Sequence, residues 1–147
     1  KKIDMNKILH EVKSLMDYQI KEEDVNLFIS DLPPCKGDET QLLQIFNNII
    51  SNSIKYKKDN EPCIIRVSGK IEFNRSIYCI EDNGIGIASE HQEKIFDLFY
   101  RIKSKHNQGE GLGLSIVKQI IERLDGEIKI ESTPDIGSKF YIILPSC

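Results

Sequence analysis

Apolar residues recur at helical intervals through residues 38–56, whereas the runs that follow, 62–72 and 76–81, read as the two strands of a hairpin. A helix that hands over to a hairpin does not fit a doubly wound sheet, in which helices and parallel strands alternate. The rest of the chain keeps to this mixture. Asp4 suits the N-cap of a helix running to about Lys21, with Ile8, Val12, Leu15 and Met16 at helical spacing and Leu9 and Ile20 beside them. Residues 25–30 read as a strand ended by Pro33-Pro34, and Asp38 or Thr40 opens the long helix. Asn74 falls in the hairpin turn. A short helix follows over about 89–96 and another over about 111–124, then an Asp125-Gly126 turn and strands at 127–132 and 138–144. The expected fold is α/β (α+β): a two-layer sandwich, one mixed β-sheet covered on one face by about three helices, in a single domain spanning residues 1–147.

Composition narrows the function classes. A hydrophobic fraction of 39% and a charged fraction of 29% are those of an ordinary globular domain. A formal net charge of −3 gives no basic footprint for nucleic acid. No apolar run reaches the roughly 18 residues of a membrane helix, so no direct membrane contact is expected. Cys35, Cys63, Cys79 and Cys147 are scattered without CxxC spacing, which argues against a zinc site and for reduced thiols in a cytoplasmic setting. The chain begins at Lys1 rather than Met and reads as a piece of something longer.

Several short constellations stand out. On the long helix, Leu42, Phe46, Ile49, Ile50 and Ser53 form a mostly apolar stripe, and Asn48, Asn52, Lys55 and Tyr56 fall together on an adjoining strip. Read alone, that strip suits a solvated face better than a ligand site. Asp82-Asn83-Gly84-Ile85-Gly86-Ile87 directly follows a strand; its glycines permit close approach to a ligand, but also merely a tight turn. Gly109-Glu110-Gly111-Leu112-Gly113-Leu114 runs into a helix, where free amides and the helix dipole favour an anion; a flexible connector would look the same. The spacing is neither that of a Rossmann fingerprint nor that of a P-loop. Between the two lies Ile95-Phe96-Asp97-Leu98-Phe99-Tyr100-Arg101, then Lys103, Lys105 and His106, suited to a lid over a polyphosphate or to a charged surface loop. Gly137-Ser138-Lys139-Phe140 opens the last strand.

Taken in order, these pieces resemble the catalytic ATP-binding domain of two-component sensor histidine kinases, of the Bergerat-type ATP-binding superfamily. Residues 44–56 are similar to its N box, 82–87 to the G1 box, 95–101 to the F box, 109–117 to the G2 box and 137–140 to the last glycine motif. The resemblance runs from about Ile3 to Pro145. It implies that Asp82 accepts a hydrogen bond from the exocyclic amine of adenine. An ionised carboxylate only accepts, so guanine would set two acceptors facing each other, at about 1–3 kcal/mol or more. Gly84 and Gly86 would make room for the base, with Ile87 packed near it and Ser138 assisting. Asn52 would offer an oxygen to Mg²⁺, which prefers to keep waters and phosphate oxygens in its octahedron. Lys55 and Arg101 would offset phosphate charge and Tyr56 would line the nucleotide. Gly109, Gly111, Leu112, Gly113 and Leu114 would hold phosphates through backbone amides, under a short lid at 102–108.

Asn48 stands where related ATPases carry a glutamate that activates water. An amide cannot take up a proton near neutral pH, so bound ATP should survive until a better nucleophile arrives. The resemblance implies a nucleophilic histidine on a separate dimerisation and phosphoacceptor hairpin of the same parent kinase. No catalytic residue is then expected in this chain, and a response regulator would be an indirect partner. The isolated domain would be monomeric, and the parent could be membrane-anchored. His10-Glu11-Val12-Lys13-Ser14 is similar to the phosphoacceptor motif, but no second hairpin helix separates it from the N-box helix, and His10 is set aside. The alternatives are a serine kinase of the anti-sigma-factor type, which would carry the glutamate that Asn48 replaces, and a nucleotide-sensing module without transfer activity.

Overall fold

A computed structural model describes residues 1–97 and 112–147, with only the backbone of Leu112. In chain order the elements are β1 (Lys2–Ile3), α1 (Met5–Leu15), α2 (Asp17–Glu22), β2 (Val25–Ile29), β3 (Cys35–Lys36) and α3 (Glu39–Lys55). Then come β4 (Cys63–Glu72), β5 (Arg75–Asp82), α4 (Ser89–Gln92), α5 (Leu112–Arg123), β6 (Glu127–Thr133) and β7 (Gly137–Pro145). The main sheet has five strands in the order β2-β4-β5-β7-β6. β2 and β4 run parallel because α3 crosses between them; the other neighbours are antiparallel. β1 and β3 form a separate two-stranded pair.

Alternation assigns the faces. Cys63, Ile65 and Val67 of β4, Tyr78 and Ile80 of β5, and Phe140, Ile142 and Leu144 of β7 are buried against the helices. From the helices come Ile8, Leu9 and Val12 of α1, the stripe Leu42, Ile45, Phe46, Ile49, Ile50 and Ile54 of α3, and Val117, Ile120 and Ile121 of α5. α3 is the middle helix, in contact with α1 on one side and α5 on the other. Arg66, Ser68 and Glu81, one residue out of register with the core set, are exposed on the opposite face. This is the expected two-layer arrangement.

Local chemistry explains most of the boundaries. Asp4 caps α1, accepting from the Asn6 and Lys7 amides at 3.0 and 3.4 Å. Asp38, not Thr40, caps α3, accepting from the Gln41 amide at 2.9 Å. Phe73 and Asn74 have φ of 51° and 61°, the pair of left-handed residues that a type I′ hairpin turn requires.

Three expectations need correction. The helix expected to run from residue 4 to 21 is interrupted at Met16, whose φ of −100° and ψ of 10° end α1. Met16 stays in the core while the chain turns toward β2, which leaves Leu15, counted with the core stripe, 67% exposed. The helix expected over 89–96 is one turn, 89–92, and continues as hydrogen-bonded turns through Lys94, Ile95 and Asp97. Asp82, assigned to the loop, is the last residue of β5.

Phe46 is fully buried and meets Tyr78 edge-to-face, ring centroids 5.8 Å apart. Phe46→Ala is expected to lower unfolding stability by about 3–5 kcal/mol in urea titrations. Phe73→Asn, at a residue 93% exposed, should change it by no more than about 0.5 kcal/mol. Equal effects would contradict this account of the core.

Candidate functional site

The site is built around a carboxylate at the end of β5. Asp82 points to the helix-covered face, because it continues the buried register of Tyr78 and Ile80. Burial pushes its carboxyl above the ordinary aspartate range; the Gly84 amide, the Ser53 hydroxyl and the Ser138 amide oppose that shift, and Glu81 adds a little to it. The Gly84 amide donates to Asp82 Oδ1 at 2.9 Å. Ser53 Oγ, on α3, is buried and makes no hydrogen bond of good geometry, so its effect on the carboxylate is that of a nearby dipole.

The loop after Asp82 is held on both sides. The Asn83 side chain accepts from the Ile64 amide at 2.8 Å and donates to the Pro62 carbonyl at 2.9 Å, extending the contact with β4. The Ile85 amide donates to the Tyr56 carbonyl at 3.0 Å, tying the loop to the C-terminal end of α3. The Asp135 amide donates to the Ile85 carbonyl at 2.7 Å, tying it to the β6–β7 turn. Gly86 has φ of 75°, and a Cβ there would come within 2.1 Å of the Thr133 carbonyl oxygen. At Gly137, with φ of 146°, a Cβ would lie 2.0 Å from the Asp82 carbonyl oxygen. Only glycine lets β7 start this close to the end of β5.

The structure therefore gathers Asp82, Gly84, Gly86, Ile87 and Ser138 at one end of the sheet, joined to the end of α3 that carries Asn52, Lys55 and Tyr56. Asn48, Asn52 and Tyr56 share one half-exposed strip of α3 and its C-cap, with Asn48 one turn further from the loop. The Lys55 ammonium lies 5.5 Å from the centre of the Tyr56 ring. Gly113 and Leu114 open α5, which packs on α3, and Leu114 rests against the core. Arg101, Gly109, Gly111 and the side chain of Leu112 lie outside the described residues, as does the lid expected at 102–108. Of the residues expected to form the F box, Ile95 is buried and Phe96 meets Phe140 edge-to-face at 6.4 Å. His10 is exposed on α1.

Four contributors escaped the sequence reading. Ser53 was counted with an apolar stripe, where a serine was itself the signal. Ser132 occupies the same register as Ile128 and Ile130 of β6, again a hydroxyl among apolar residues. Gln92 reaches back from α4 to the Ile87 and Ser132 carbonyls at 2.8 and 2.9 Å. Asn83, read as turn chemistry, substitutes for backbone in the sheet. Among the described residues no group of three or more His, Cys, Asp or Glu is arranged to hold a metal ion. Burial pushes the Cys35 and Cys63 thiols up to about 11, so both are protonated at neutral pH.

Comparison with known proteins gives a consistent picture. Residues 37–146 match the family described as histidine kinase-, DNA gyrase B-, and HSP90-like ATPase. The phytochrome-like protein Cph1 of Synechocystis is 34% identical over 143 residues, covering 97% of this chain and 19% of that protein. The chain thus spans about a fifth of the length of that relative. Among solved structures, the nucleotide-free catalytic domain of histidine kinase ThkA superposes with a TM-score of 0.84 at 25% identity, covering 99% of this chain and 97% of that one. Full-length ShkA in complex with AMPPNP superposes with a TM-score of 0.82 at 26% identity, covering 99% of this chain and 30% of that one.

A buried carboxylate whose folded pKa is raised contributes stability at pH values below its unfolded pKa and loses that contribution as pH rises through the folded one. Asp82→Asn stays neutral throughout. Its melting temperature relative to the unsubstituted chain is therefore expected to rise as the pH climbs from the ordinary aspartate range to neutrality. A difference that stays constant or shrinks over that range, in scanning calorimetry, would remove the buried-charge account.

Proposed function

Because the chain belongs to the family of histidine kinase-, DNA gyrase B-, and HSP90-like ATPases, we propose that it is the ATP-binding catalytic domain of a sensor histidine kinase. On this reading residues 1–147 form one domain that binds Mg²⁺-ATP. It donates the γ-phosphate to a histidine on a separate dimerisation and phosphoacceptor hairpin, from which a response regulator is phosphorylated. ATP is the family's ligand; the metal, the acceptor and the partner are parts of the proposal. The observation that supports it is the tie between the Ile85 amide and the Tyr56 carbonyl, 3.0 Å, which joins the loop after the Asp82 carboxylate to the end of α3 that carries Asn52, Lys55 and Tyr56. The ATP analogue bound to the structural relative ShkA supports the ligand class.

Asp82 reads the amine of adenine, with Ser138 beside it on β7, and the Gly84 and Gly86 loop gives the base its seat next to Ile87. Asn52, Lys55 and Tyr56 face the phosphates from α3, with Arg101 and the backbone amides of Gly109, Gly111, Leu112, Gly113 and Leu114 completing the cradle. The donor set suits a hard divalent cation. The carboxamide of Asn52 is a neutral oxygen donor on a half-exposed strip, and no acidic cluster competes for the ion among the described residues. When bound, Mg²⁺ would neutralise charge developing on the phosphates. Asn48 carries no base, so the domain positions ATP and keeps it from attack by water until an imidazole is presented; transfer then rests on orientation and electrostatics. We place the module in the cytoplasm, where ATP is available.

Mixing the chain with labelled ATP, Mg²⁺ and a cognate hairpin domain should give acid-labile label on the hairpin's histidine. Absence of label alongside ordinary ATP affinity would point instead to a nucleotide-sensing module. Asn52→Ala is expected to abolish the Mg²⁺-dependent part of nucleotide affinity in calorimetry with the thermal transition unchanged. Undiminished Mg²⁺ dependence would remove Asn52 from the metal.

A further inference from the structure

Ser132, Ser138 and Asp82 oppose one another across three neighbouring strands: Ser132 pairs with Ser138, and Ser138 with Asp82. Directly opposed residues send their side chains to the same face, here the helix-covered one. Ser132 Oγ lies 2.7 Å from Ser138 Oγ, accepts from the Ile87 amide at 2.7 Å and sits 3.0 Å from the Gly137 carbonyl oxygen. A serine hydroxyl has one hydrogen, and a carbonyl only accepts. The hydrogen on Ser132 must therefore go to Gly137, since the reverse assignment leaves two bare oxygens 3.0 Å apart. The 2.7 Å contact between the two serines then requires the hydrogen of Ser138. Ser138 is thus turned toward Ser132 and presents lone pairs on its remaining side. Gln92 holds the assembly shut by donating to both the Ile87 and Ser132 carbonyls.

We propose that Ser132 is a positioning residue for base selection. By taking the Ser138 hydrogen it makes Ser138 an acceptor beside the acceptor Asp82, so that the site favours a purine with an amino group at C6 over one with an oxygen there. The proposal rests on the nucleotide-binding reading above and goes beyond it in naming a residue that never touches the base. Without Ser132 the hydroxyl of Ser138 is released to donate, which suits a 6-oxo purine. Loosening of the loop would instead weaken every nucleotide alike.

Calorimetric titration of the full chain with ADP and with inosine diphosphate separates these effects. Ser132→Ala is expected to lower the ADP-to-IDP preference about tenfold, the scale of one mispaired buried polar contact, and Ser132→Thr, which keeps the hydroxyl, to restore it. Gln92→Leu, which loosens the loop but leaves the hydroxyl pair intact, should weaken both nucleotides by the same factor. An unchanged preference in Ser132→Ala, or an equal loss of preference in Gln92→Leu, overturns the proposal. An unsubstituted chain that binds neither nucleotide overturns the nucleotide reading on which it stands.

Discussion

A carboxylate held at the buried end of a strand is the constraint around which this fold is arranged. Asp82 loses much of its hydration at the end of β5, and a charge in that position is tolerated only when oriented dipoles replace the water. The Gly84 amide does so from the following loop, and the Ser138 amide does so from β7. That second donor requires β7 to start tight against the end of β5, and the backbone there leaves no room for a Cβ at residue 137. The β5–β7 register, the loop and the turn before β7 thus answer to one group.

The same constraint links the site to the helical layer. The loop cannot wander, because the Ile85 amide is fastened to the end of α3 and the Ile85 carbonyl to Asp135. α3 is buried along one stripe between α1 and α5, so its half-exposed strip has a fixed orientation relative to Asp82. On the proposed reading, recognition of a base and handling of phosphates depend on one rigid helix and one strand end, which is the preorganisation a positioning catalyst needs.

Much of this was readable in the sequence where local chemistry and long-range packing agree. Asp4 and Asp38 cap their helices, the left-handed turn at residue 74 makes a hairpin, and α3 shows its stripe because its burial is one-sided. The reading failed where tertiary contacts override local signals. Met16 and Leu15 fit one helical face on paper, yet the chain must leave the core there to reach β2. The strand pair β1–β3 has two residues in each strand, too few for any periodicity, and depends on Asn6 bracketing Leu32 and on Tyr78 and Ser76 donating to the carbonyls of Pro33 and Pro34. Ser53 and Ser132 were invisible as site residues for a related reason: hydroxyls in apolar register look like tolerated core positions until their neighbours across the layers are known.

The two kinds of residue at this site call for different arguments. Gly86 and Gly137 are demanded by the protein's own backbone, since a side chain at either would strike a carbonyl oxygen whether or not anything is bound. Their presence therefore testifies to the fold. Asp82 and Ser53 are different: the amides and the hydroxyl around the carboxylate offset its lost hydration only in part, so a buried charge there remains a cost to the fold. Groups kept against the interest of stability are the ones that speak for a ligand. By that criterion Asp82 and Ser53, more than the glycine motifs that first draw the eye, support the proposed nucleotide site.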